Sequence, residues 1–220
     1  MKLITKIEAL LLEEFKTVPF HNIFMLNKIK NKDLSLGGTC SDKVLHFRAV
    51  LKNNGIKTNL HSSFINNVEC HRMLSVLIEK KKYFIDVGSG WPSIKLFPEF
   101  RPIEYSVYGM GFKTEQIERK LIINHKTGGQ YKQMIDVPLI TKSESDIMYD
   151  IENRFKDTSV YPFRNSLRFS IIKNKSFYFI KGNTLRVYNK NEIIEKVLIL
   201  SEINELIKNR LGFDHLKIQC

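Results

Sequence analysis

The stretch "CHRMLSVLIEKKKYFIDVGSG", residues 70–90, decides how this chain is read. Two short runs rich in β-branched and aromatic residues flank a charged cluster, the pattern of a β-hairpin. His71 begins the first run and Asp86 ends the second, 15 positions later. Because side chains alternate along a strand, a turn of even length puts both on one face of the sheet. A turn at Glu79–Lys80 makes them diagonal neighbours, about 7–8 Å apart at the backbone and within side-chain reach. A turn at Lys80–Lys81 separates them by two further residues and loses the pairing, and the sequence alone leaves both registers open. An aspartate inside an apolar run is costly to bury unless it is paired. A histidine N–H supplies such a partner.

Upstream lies "GGTC", residues 37–40, followed by Cys40, Val44, Phe47 and Leu51 at helical spacing, with Gly55 as C-cap. Cys40 therefore sits at a helix N-terminus, whose partial positive charge and free N–H groups favour a thiolate and can receive an oxyanion. The glycines before it leave room for a substrate to approach. Cysteine, histidine and aspartate in this order fit nucleophile, base and orienting group. His61, on an earlier strand, is the rival base.

The remaining pattern divides the chain into three parts. Residues 1–65 read as a helical lobe that carries the nucleophile. Residues 66–140 read as an all-β part that carries the histidine and aspartate, and residues 141–220 as a mixed α/β part. Apolar residues at helical spacing over 2–15 mark an amphipathic helix, ended near Pro19. "PSIKLFPEFRPIEYS", with three prolines, reads as a connection between lobes. "RKLIINH" and "YKQMIDV" read as strands. "SESDIMYDIENRF" is a helix with Ser143 and Asp146 as its capping pair. Four further strands then form an antiparallel meander, and "SEINELIKNRLG" closes as a helix capped by Ser201 and ended by Gly212. The fold class is α+β.

Composition narrows the function. The 220 residues carry 35 basic and 23 acidic side chains, a formal charge of +12. The lysines are scattered and no nucleic-acid motif accompanies them, so the excess reads as a solvated basic surface that attracts anionic phosphates. No segment is apolar enough for a membrane span. Glutamates interrupt the N-terminal helix where a signal peptide would be apolar, so a cytoplasmic location is expected. Three cysteines, Cys40, Cys70 and Cys220, without CxxC spacing argue against a disulfide framework or a metal site.

"PFHN" (19–22), "GGTC" (37–40), His71 and "DVGSG" (86–90) together resemble the arylamine N-acetyltransferase family, whose members carry PFEN, RGGxC, a strand-initial histidine and DVGFG. "YPFRNSLRFS" and "KGNTLRVY" extend the resemblance over nearly the whole chain. It implies a papain-like cysteine core of helical lobe, β-barrel and lid. Cys40 is then the acyl-carrying nucleophile, His71 its base and Asp86 the residue that orients His71. Gly90 and Phe163 match positions lining the family's cleft. Acetyl-CoA is the implied co-substrate, with no tightly bound cofactor, and a small amine the acceptor in a ping-pong scheme. Other readings of the same triad are an amide synthase fed by an acyl-carrier protein, a cysteine hydrolase, and a relative that only binds. The chain departs from the family at His21 and Leu36, where a mutually paired Glu and Arg are usual, at Ser89 and at Val44.

Overall fold

Helix α1 (Lys2–Thr17) lays Ile7, Leu11 and Phe15 into the core and stops before Pro19. The computed structural model describes residues 2–156 and 164–214. After α1 come a two-residue strand β1 (Phe20–His21), a single turn of helix α2 (Ile23–Leu26) and helix α3 (Cys40–Asn53). The apolar stripe of α3 is buried as its spacing predicts, with Val44, Phe47 and Leu51 all inaccessible. Gly55, at φ 75°, follows the C-cap Asn54 and ends the helix.

Eight strands then form one antiparallel sheet: β2 (Asn59–Ile65), β3 (Val68–Ile78), β4 (Lys81–Ile85), β5 (Phe97–Pro98), β6 (Glu104–Val107), β7 (Met110–Ile117), β8 (Lys120–Lys126) and β9 (Lys132–Pro138). Their order is β5-β4-β3-β2-β9-β8-β7-β6. The sheet curls into a half-barrel, and its two four-stranded halves meet through the pairing of Phe64 with Asp136. Helix α4 (Glu144–Asn153) begins at Ser143, whose hydroxyl accepts the Asp146 N–H. A second antiparallel sheet follows: β10 (Arg168–Lys173), β11 (Ser176–Lys181), β12 (Thr184–Tyr188) and β13 (Ile193–Val197). Its far edge is completed by β1, with Phe20 opposite Ser170. Helix α5 (Leu200–Glu205) and a π-helical turn at Leu206–Arg210 close the described chain, with Gly212 at φ 71°. One apolar core runs from α1 and α3 through the half-barrel to Phe177, Phe179 and Tyr188 of the second sheet.

Four local readings need correction. The proline-bearing stretch 92–106 adds β5 and part of β6 to the large sheet; Pro98 ends β5, while Pro92 and Pro102 lie in the loops outside the strands. Strand β7 lies in the stretch 104–140 that reads as mixed strand but is not singled out there; Met110, Phe112 and Thr114 are buried on alternate positions, a face partly carried by a polar residue. Strand β3 starts at Val68, so His71 is its fourth residue. Ser201 lies inside α5, where Glu202 accepts the Ile199 N–H at 2.8 Å and takes over the capping role.

Candidate active site

The hairpin of residues 70–90 resolves its register at the turn. Glu79 and Lys80 both have positive φ, 51° and 62°, and Ile78 pairs with Lys81. Positive φ at both central residues suits the right-handed twist of a two-residue hairpin. Leu74 therefore faces Ile85, and His71 and Asp86 fall on the diagonal that the Glu79–Lys80 turn predicts. His71 Nε2 donates to Asp86 Oδ1 at 3.0 Å, since the carboxylate only accepts. Asp86 is held by three further donors: the N–H groups of Gly88 (3.2 Å) and Ser89 (3.0 Å), and the Ser93 hydroxyl (3.2 Å). These bonds let a fully buried carboxylate stay ionised.

Cys40 is the first residue of α3, with Thr39 as N-cap. Asp42, in the same first turn, accepts both the Thr39 N–H (3.0 Å) and the Thr39 hydroxyl (3.1 Å). Arg154, at the end of α4, donates to Asp42 at 2.6 Å and ties the first turn of α3 to the later part of the chain. Internal packing requires the glycines before Cys40. A Cβ on Gly37 would stand 2.0 Å from the Pro19 carbonyl oxygen, and one on Gly38 2.5 Å from Asp42 Oδ2.

Helix and hairpin meet at the sulfur. The ladder between β3 and β4 begins at Leu74, leaving the first part of β3 unpaired on that edge. Cys40 fits there, its Sγ 3.6 Å from the Cys70 carbonyl oxygen, a contact suited to the protonated thiol. Against it, His71 and the Arg72 backbone N–H hydrogen-bond to the sulfur. Burial opposes the Cys40 thiolate, but the His71 bond and charge and the Arg72 charge outweigh it, so the thiol is held below its ordinary value. Burial likewise opposes the His71 imidazolium, yet Asp86 and Cys40 raise it to about 9. Each group thus favours the charged form of the other, the imidazolium lowering the thiol and the thiolate raising the imidazole. Nε2 is committed to Asp86, which leaves Nδ1 for the sulfur.

The rival His61 is committed elsewhere: its Nε2 donates to the Pro138 carbonyl at 2.6 Å, and burial lowers it to about 4. Gly90, at φ 81°, lies under the Phe20 ring, where an added Cβ would come within 3.1 Å. Its carbonyl accepts the Ser170 hydroxyl at 2.8 Å. Phe163 lies outside the described residues. A cavity of about 670 Å³ is lined by Leu45, Arg48, Ala49 and Ile56, away from Cys40 towards the other end of α3. Chemistry and not volume therefore picks out the site. Residues passed over by sequence reasoning are Asp42, Arg154 and Arg72. The spacing of Thr39 and Asp42 resembles a capping box and was a usable signal, whereas nothing in sequence distinguishes a buried arginine from a solvated one.

A family model described as N-acetyltransferase matches residues 4–217. The chain belongs to the arylamine N-acetyltransferase family. These enzymes are acyltransferases. Solved structures agree in fold. The Mycobacterium marinum arylamine N-acetyltransferase in complex with CoA superposes with a TM-score of 0.85 at 13% identity, covering 99% of this chain and 89% of that one. The M. smegmatis enzyme gives 0.83 at 16%, with 98% and 88% covered. The Bacillus cereus enzyme, described as having a Cys-His-Glu catalytic triad, gives 0.77 at 15%, with 95% and 90% covered. No curated protein sequence matches the chain. Among the described residues, no helix is long and apolar enough to cross a membrane.

Proposed function

We propose that the chain moves an acetyl or similar acyl group from coenzyme A to a small amine through a thioester on Cys40. The observation that carries this reading is the buried line of Cys40, His71 and Asp86 with its Nε2–carboxylate bond at 3.0 Å, in a chain of this family. The Cys40 thiolate attacks the acyl carbonyl, and the negative charge on that oxygen is received by N–H groups at the start of α3. The CoA sulfur leaves with the proton that His71 holds. The amine then attacks the thioester, gives its proton to His71, and the Cys40 thiolate is expelled. Asp86 fixes the ring and steadies the imidazolium through both halves.

CoA as donor is supported by its presence in the M. marinum structure of the same fold. A papain-like division into helical lobe, barrel and lid over 1–65, 66–140 and 141–220 accompanies this reading, with Gly90 and Phe163 as cleft-lining positions carried by the resemblance. The acceptor is an arylamine or hydrazine. Exposure to acetyl-CoA followed by intact-mass analysis tests the proposal. One acetyl group located at Cys40, absent in Cys40→Ala and discharged by an added arylamine, supports it. Unlabelled wild-type protein with a panel of acyl-CoA thioesters overturns it.

A further inference from the structure

We propose that Arg72 is a positioning residue for the nucleophile: its buried guanidinium fixes the strand edge that receives Cys40 and places a permanent positive charge beside the sulfur. The inference rests on Cys40 being the reactive group of the proposed function.

Arg72 follows His71 and is only 3% exposed. Arginine is rarely buried, and a buried cation needs compensation. Its Nη1 donates to the His71 carbonyl and to the Ser62 hydroxyl, both at 2.9 Å, and Nη2 reaches Asp150 of α4 at 3.3 Å. These contacts belong to a closed ring. Ser62 donates to Glu69 at 2.5 Å, Glu69 pairs with Lys142 at 2.8 Å, and Lys142 pairs with Asp150. The ring joins β2, β3, the segment before α4 and α4 itself. It fixes the β3 backbone at the residues whose carbonyl and N–H face Cys40.

The compensation is incomplete in a way that favours the sulfur. Asp150, the ring's only direct anion on Arg72, is 35% exposed at its side chain and shared with Lys142. Nε of Arg72 is buried without a hydrogen-bond partner. The guanidinium, facing Asp150 and the ring's Glu69 on one side, also acts on the buried Cys40 sulfur, where low dielectric preserves its effect. A leucine or methionine would fill the same space but would supply neither the charge nor the anchor. The other groups facing the sulfur are His71 and Cys70 from β3, and Asp86 through His71. On its own helix Asp42 is paired with Arg154, and Lys43 with Glu14 at 3.0 Å.

The test follows alkylation of Cys40 by iodoacetamide against pH, quantified on the Cys40 peptide, and needs no acyl donor. Arg72→Gln is expected to alkylate roughly tenfold more slowly at pH 6, its profile moved to higher pH, with Arg72→Lys recovering most of the difference. Asp150→Asn, which removes the counter-charge and keeps the guanidinium, is expected to move the profile the other way, with roughly two- to threefold faster alkylation at pH 6. A folded Arg72→Gln with the wild-type profile overturns the proposal. If that variant does not fold, an Asp150→Asn profile unmoved or shifted upward overturns it instead. A shifted profile in a protein that no acyl thioester labels would reject the transferase reading and leave this one standing.

Discussion

His21 and Leu36 are joined by one hydrogen bond, His21 Nε2 to the Leu36 carbonyl at 3.1 Å, where the family has a glutamate paired with an arginine. His21 Nδ1 accepts the Ile23 N–H at 3.3 Å, so both ring nitrogens are used by a neutral imidazole. Its ring is packed among Phe24, Phe169 and Phe213. The chain thus replaces a buried ion pair with a neutral bond to backbone. His21→Glu alone should lower unfolding stability by about 3–5 kcal/mol, because it buries a carboxylate without a cation. Adding Leu36→Arg should recover a large part of that loss in urea titrations. Equal losses in the single and double variants would show that the two positions are not coupled.

Asp86→Asn should separate orientation from charge. The amide keeps a polar contact with His71 but no longer steadies the imidazolium and favours the wrong tautomer. We expect kcat for acyl transfer to fall by about 10²–10⁴-fold with a far smaller change in thermal midpoint. His71 also loses a cause of its rise to about 9, so the alkaline limb of the pH–rate profile should move down towards the ordinary value of 6.5.

Gly88→Ala tests how closely the hairpin approaches Cys40. An added Cβ would stand 2.5 Å from Cys40 Cα and 2.7 Å from Cys40 Cβ, so one element must move. Overpacking of this kind costs about 1–3 kcal/mol. Here it also displaces the sulfur from His71, so Cys40 alkylation near pH 7 should slow while the variant still folds. Wild-type alkylation would show that the hairpin yields instead.

Stability should fall steeply in mild acid. His21, His61 and His125 are buried, and burial lowers each to about 4 from an ordinary 6.5. Each is neutral when folded and takes a proton when unfolded, so the unfolded chain binds more protons between pH 6.5 and 4. The stability these groups contribute is fully present above 6.5 and is lost as pH falls to 4. Each adds up to about 1.4 kcal/mol per pH unit to the slope in that window. Urea midpoints measured from pH 7.5 to 4 should show the fall, and His61→Gln should flatten it.

How much was legible depends on the kind of signal. Cys40, Val44, Phe47 and Leu51 announce their helix because apolar spacing is local and periodic. His71 and Asp86 announce a hairpin but not its register, which rests on Glu79 and Lys80 adopting positive φ, a conformation their side chains do not favour. Asp42 with Arg154, and Arg72 with Asp150, are contacts between residues 112 and 78 positions apart. No periodicity connects such pairs, because the fold alone brings them together. The glycines before Cys40 show the converse: their presence was plain, and their reason, the closeness of Pro19 and Asp42, was not.

Strand β1 has a bearing on how the molecule comes into being. Phe20 pairs with Ser170, 150 positions later, and with Gly38 in the loop that leads to Cys40. A chain emerging from the ribosome therefore carries β1 and the loop that leads to Cys40 long before the strand that pairs with β1 has been synthesised.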